Sequence, residues 1–147
     1  MSSDLWSFAI RCYGRPGVEQ TCLRLQDGGS DICLVLCALW LEQRRVACDE
    51  QRFGQLLSIA EPWQLQVVQP LRELRRGWRE RGAQDPDLAQ LREQLKVMEL
   101  KAERALLERL ETVVQKWQAT DDAVAWLERL SIPRDAQGLL RAAARSV

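Results

Sequence analysis

Arg72, Arg75, Arg76 and Arg79 recur at the spacing i, i+3, i+4, i+7, which stacks side chains on one face of a helix. Arg81 extends the set and Trp78 sits inside it, while Glu73 and Glu80 are the only acids between positions 72 and 81. Like charges so placed repel, so the face calls for anions, and guanidinium groups bind carboxylates and phosphates with paired hydrogen bonds. Three sources would serve: a partner protein, the phosphates of a nucleic acid or small ligand, or this chain's own Glu93, Glu99 and Glu103. The last needs no partner and makes the stripe an internal charge lattice.

Other constellations are thinner. Asp27 and Asp31 flank Gly28-Gly29-Ser30, and two carboxylates near a helix start could take a magnesium ion. Such sites usually have more oxygen ligands, and turn formation plus helix capping accounts for both residues. Cys33 and Cys37, one helical turn apart, could form half of a soft metal site. They lie in the most apolar run, however, and there is no histidine anywhere in the chain to complete four ligands. The missing histidine also removes the commonest general base. No phosphate-binding glycine loop, nucleophile elbow or dinucleotide fingerprint is present. The expectation is no catalytic residue, no metal and no cofactor.

Charge and compartment narrow the partners. The 21 basic and 21 acidic side chains cancel, so no global field draws the chain to nucleic acid or to an anionic membrane. Cysteines at 12, 22, 33, 37 and 48 are odd in number, which suits free thiols in a reducing compartment. The opening MSSDLWSFAI has no basic segment and carries Asp4, unlike a secretory signal. The apolar run from Ile32 to Leu41 is about half the length of a bilayer crossing. A cytoplasmic protein with no membrane span is expected.

The elements that must position these residues are all helical, because no stretch alternates apolar and polar residues long enough for a strand. Ser3 is placed to cap a first helix with Leu5, Phe8, Ala9, Cys12 and Tyr13 on one inward face, and Pro16 to open a second with Val18, Thr21, Cys22 and Leu25 inward. The run ICLVLCALWL is apolar on every side, as the central rod of a bundle must be. A fourth helix starts at Asp49. A fifth opens at Glu61-Pro62-Trp63 and reaches Arg81, with Val67, Leu71, Leu74 and Trp78 as its seam and Pro70 as a kink. Arg75 and Arg76 are expected to point away from that seam. The longest helix spans about Pro86 to Gln118, and two short ones come after Asp121 and Pro133. The chain is thus expected to be one all-α domain over residues 1–147. It comprises a compact helical cluster (1–60) around a central apolar helix, packed on a long antiparallel helical hairpin (61–118), with two short C-terminal helices (119–147).

The residues Leu5-Trp6, Phe8, Tyr13, Gly17-Val18, Cys22-Leu23, Leu25-Gln26-Asp27, Gly29, Asp31 and Leu39-Trp40-Leu41 form a pattern. Together with Pro62-Trp63, Pro70-Leu71-Arg72, Leu74-Arg75-Arg76, Trp78, Glu99 and Ala102-Glu103, it resembles a small bacterial family catalogued only as a domain of unknown function. The resemblance runs to about Trp117. Where the family often has asparagine, two residues after Asp31, this chain has Cys33. The resemblance implies a helical fold and no assigned activity.

Three functions stay open on these residues. The leading one is a non-catalytic interaction or regulatory protein that presents an arginine and tryptophan surface, with Arg72, Arg75, Arg76, Arg79, Arg81 and Trp78 facing another protein. The second is a nucleic-acid or phosphate-ligand binder using the same arginines. The third is a magnesium-dependent enzyme built on Asp27 and Asp31.

Overall fold

Ten consecutive apolar residues can be satisfied only by burial on all sides, and the molecule is arranged around them. In the computed structural model, which describes residues 4–120 and 125–147, they form most of α3 (Ile32–Gln43), and every residue from Ile32 to Leu41 is buried. The Asp31 carboxylate accepts the Leu34 N–H at 3.2 Å and so caps the helix. Helices from both ends of the chain wrap it. The helix α1 (Asp4–Tyr13) turns Leu5, Phe8, Ala9 and Cys12 inward, and α2 (Val18–Asp27) turns Val18, Thr21, Cys22 and Leu25 inward. The bend between them uses Gly17 at φ 81°, where an added Cβ would also lie 3.1 Å from Leu139. From the far end of the chain, α8 (Arg134–Arg145) contributes Ala136, Leu140, Ala143 and Ala144. Arg141 fastens α8 through Glu42 at 2.7 Å and Glu128 at 3.0 Å.

The stretch after Asp49 differs from expectation. Rather than two helices meeting at Pro62, one nearly unbroken rod runs through α4 (Glu50–Trp63), a π-helical turn (Gln64–Val68), α5 (Gln69–Gly77) and α6 (Arg79–Gly82). A proline within a helix lacks an N–H and crowds the preceding turn. The wide turn absorbs this. The Gln69 N–H donates to the Gln64 carbonyl five residues back, and Pro70 enters α5 at a first-turn position where no donor is needed.

The same turn corrects the expected seam. One wide turn rotates everything after it by roughly 100° relative to a straight helix. Val68, not Val67, is fully buried, Leu74 is exposed, and the inward face becomes Val68, Leu71, Arg72, Arg75, Trp78 and Gly82. Arg75 therefore faces the hairpin instead of pointing away from it.

Asp85 caps α7 (Pro86–Val114) through the Asp87 and Leu88 amides, and this 29-residue helix returns antiparallel along α5 and α6. Its lower half seats Leu106, Leu107, Leu110 and Val114 in the core that α1 and α3 share. It ends four residues short of the expected Gln118. Beyond it, Trp117 stacks on Trp126 with ring centroids 6.0 Å apart, and the Trp126 indole donates to the Val46 carbonyl at 2.7 Å. The expected Ser3 cap and the helix start at Asp121 with Val124 lie outside the described residues. A 3-10 turn (Leu127–Leu130) and then α8 complete the chain. Among the described residues there is no strand beyond a single bridge, Val46 to Ala119, and no helix is long and apolar enough to cross a membrane.

Candidate functional site

The arginine face splits in two. Arg72 Nε meets Glu99 Oε1 at 3.0 Å, and Arg75 holds the same carboxylate through Nε to Oε2 and Nη2 to Oε1. Glu99 is only 6% exposed, so this is an ion pair inside the hairpin. Arg92 supports it by donating Nε to the Arg75 carbonyl at 2.7 Å. Burial pushes the Glu99 carboxyl up, but the hydrogen bond and charge of Arg75, then of Arg72, outweigh it and leave it below its ordinary value. Arg76 reaches instead to Asp27 at 3.1 Å in an exposed pair, and Arg79 and Arg81 are exposed without an ion pair among the described residues. Trp78 is half-buried.

Around Glu99 the fold gathers groups that are far apart in sequence. Asp31, capping α3, also accepts the Gln64 amide at 2.7 Å, so the π-helical turn is tied directly to the start of the central helix. Burial raises the Asp31 carboxyl to about 6, against the pull of its bonds from Leu34 and Gln64. Glu103 lies one turn beyond Glu99. Burial, and then the charge of Glu99, push its carboxyl up to about 7, and among the described residues it makes no side-chain hydrogen bond or ion pair. Its backbone carbonyl accepts from Cys33 Sγ at 3.6 Å, which joins α3 to α7. Three carboxylates thus face two guanidiniums at the junction of cluster and hairpin. Beside Asp31 opens a cleft of about 590 Å³ walled by Gly29, Ser30, Gln64, Gln69, Arg72 and Arg129.

Asp27 and Asp31 are therefore engaged separately, one with Arg76 and one as a cap. Among the described residues no group of three or more histidine, cysteine, aspartate or glutamate side chains is arranged to hold a metal. All five cysteines are free thiols; Cys33 and Cys37 are buried in the core, where burial raises both above the ordinary thiol value. Glu99 is readable from the sequence as an acceptor, whereas Gln64 and the special position of Glu103 are not. The signal that could have found Glu103 is its pairing with Glu99, four residues apart on a helix whose other side has to pack.

A second feature lies on the outer side of the hairpin. The Trp63 indole donates to the Ala102 carbonyl at 2.9 Å, and the Arg109 guanidinium lies 3.9 Å from the Trp63 ring centroid. Two hollows of about 440 and 570 Å³ share Trp63, Gln66 and Val67 and together form a groove. Pro70, Leu71, Leu74 and Met98 extend it between α5 and α7, and among the described residues Lys101 and Arg109 are its only charged walls. Leu74 and Met98 are 45% and 52% exposed, which is unusual for large apolar groups placed side by side.

These features define an all-α protein with a buried acidic junction and an apolar, cation-lined groove. The chain belongs to the family described as "Protein of unknown function (DUF2390)", whose model matches residues 4–110, from α1 through most of α7. The match takes in Asp31, Arg72, Arg75, Glu99, Glu103 and the groove from Ile59 to Arg109, and leaves α8 outside. No curated protein and no solved structure matches the chain.

Proposed function

We propose that this is a non-catalytic protein-interaction module whose hairpin groove takes an amphipathic helix from an acidic partner protein. The observation that carries the reading is the groove itself: an apolar floor around Trp63, Val67, Leu71, Leu74 and Met98, with Lys101 and Arg109 as charged walls. Helix-in-groove recognition uses such a floor for affinity and rim charge for orientation. Tryptophan and arginine are the residue types most often responsible for binding energy at protein interfaces. The exposed Arg76, Arg79 and Arg81 farther along the rod add to the attraction for an acidic partner. The buried junction keeps α5 and α7 in fixed register, so the groove is preformed. Free thiols throughout fit a cytoplasmic setting.

The nucleic-acid reading has less support, because Arg72 and Arg75 are engaged with Glu99 and only three of the five arginines face solvent unbound or in an exposed pair. The enzyme reading has less still, since Asp27 and Asp31 serve different partners.

The test is the double variant Leu74→Glu with Met98→Glu. Both positions are exposed, so the fold is kept and circular dichroism is unchanged. Retention of polypeptide partners from nuclease-treated extract should fall at least about 100-fold, the loss of roughly one or two interfacial anchors of 2 kcal/mol or more. A folded double variant that retains the same polypeptides as the parent would overturn the groove as the binding surface.

A further inference from the structure

On the opposite side of α7 from the groove, α1, α2 and α3 close over a cavity of about 200 Å³. Trp6, Ile10, Tyr13, Leu23, Leu36 and Leu100 supply most of its wall; among the described residues Gln26 is the one side-chain amide and Glu103 the one carboxylate on it. Among the described residues no polar side-chain atom is both fully buried and without a hydrogen bond. The unbonded Glu103 oxygens therefore open onto reachable space. A carboxylate against apolar walls is costly unless a cation or a proton meets it. The nearby cations do not serve, because Arg72 and Arg75 both bind Glu99 and Arg104 pairs with Glu108.

We propose that this cavity is a binding site for a small organic ammonium ion, with Glu103 as its counter-ion and Trp6 and Tyr13 as aromatic walls. A hard inorganic cation would need six or more oxygen ligands in this space, which the walls lack. An anion would meet Glu103 at once. An ammonium group on a short apolar body satisfies both parts, since aromatic faces attract cations and the remaining wall is hydrocarbon. Arg104 already lies 5.1 Å over the Trp6 ring, so Trp6 acts chiefly as an apolar wall, and Tyr13 with Glu103 recognises the charge. The cavity is smaller than a drug-sized pocket, which limits the guest to about one ring or a short chain.

The charge state of Glu103 sets a pH signature. It is faced by Asp31 and Cys33 on α3, Arg72 and Arg75 on α5, Glu99 on α7 and Tyr13 on α1, and it shares the cavity wall with Cys22 on α2. With burial holding the carboxyl near 7, it is mainly protonated at pH 6 and mainly ionised at pH 8. An alkylammonium stays charged across that range, so its affinity should rise about tenfold from pH 6 to pH 8.

The probe is phenethylammonium chloride, with neutral 2-phenylethanol as its near-isostere, titrated into the full chain while the Trp6 indole and Tyr13 ring resonances are followed by NMR. The expected result is a saturable shift of both rings by the ammonium, about tenfold or more weaker for the alcohol and for Glu103→Gln. The groove variant Leu74→Glu with Met98→Glu should bind the ammonium normally, which separates this site from the interaction surface. Equal affinity for alcohol and ammonium, no saturable shift of these rings, or unweakened binding by Glu103→Gln would each overturn the proposal. If Glu103→Gln does not fold, the comparison of ammonium with alcohol and the pH series decide the matter on the unmodified protein.

Discussion

Leu39→Asp should not fold under conditions where the parent is fully helical. Leu39 is 1% exposed in α3, in a segment where all ten residues from Ile32 to Leu41 are buried, so no rotamer brings a carboxylate to water. The half-buried guanidiniums of Arg72, Arg75 and Arg141 offer no rescue either, since Glu99 and Glu42 already hold them. Burying an ionised carboxylate without a partner costs several kcal/mol or forces protonation at similar cost. Total stability for a domain of this size is about 5–15 kcal/mol. Leu39→Ala is the graded control, expected to lose about 2–5 kcal/mol while keeping the fold. Circular dichroism and a thermal melt check both. An aspartate variant melting within a few degrees of the parent would mean that α3 is not the central rod.

Glu99→Ala should be the most damaging single change at the junction, costing about 3–5 kcal/mol, because it leaves the Arg72 and Arg75 guanidiniums partly buried and unpaired. Their side chains are only 12% and 23% exposed, so water cannot fully replace the carboxylate. Reversing Arg75 to glutamate should be comparably severe, since it adds a fourth carboxylate beside Glu99, Glu103 and Asp31. Reversing the exposed Arg79 should leave the melting temperature almost unchanged. The junction also fixes a pH profile. Glu99 has a lowered value in the folded state, so its contribution is full above the unfolded value near 4.5 and is lost as pH falls through the folded one. Asp31 and Glu103 have raised values of about 6 and about 7, so between about 4 and 7 the folded state binds more protons than the unfolded state and these groups lose stability as pH rises. Denaturant melts should show this protein more stable near pH 5 than near pH 8, with a fall below about pH 4. Glu103→Gln should flatten the loss between pH 5 and pH 8.

The parts of this architecture that arise from local pattern were legible in the sequence. A ten-residue apolar run bounded by Asp31 and Glu42 has one outcome in water, and Asp85-Pro86 before a long 3.6-residue period marks the start of α7. The rod from Glu50 to Gly82 was not legible, because Pro62 and Pro70 each break a regular helix and only tertiary packing reveals that a π-helical turn reconciles them. The consequence extends along the rod. A seam drawn with straight periodicity through Val67 puts Arg75 on the outside, whereas the wide turn carries Arg72 and Arg75 inward onto Glu99. The stripe was legible as a set of charges needing anions, but its division between an internal pair and an exposed remainder depends on that rotation. The groove at Trp63 and the cavity at Glu103 are assembled from several helices each, and no spacing along the chain announces them. Trp117 shows the converse: it continues the periodicity of α7 in sequence but leaves the helix to stack on Trp126.

The reading of this chain as an interaction module stands on the groove, and a photo-crosslinking amino acid placed at Gln66 tests it most directly. Gln66 lines both hollows of the groove, and Lys116, exposed at the far end of the hairpin, provides the matched control position. In living cells, Gln66 should capture a distinct polypeptide other than a second copy of this chain, at a segment that is acidic and apolar on one helical face. That adduct should survive nuclease, be missing at Lys116, and vanish when Leu74→Glu and Met98→Glu are added. Capture of no polypeptide above the Lys116 level, or of nucleic acid or a basic segment instead, would contradict it.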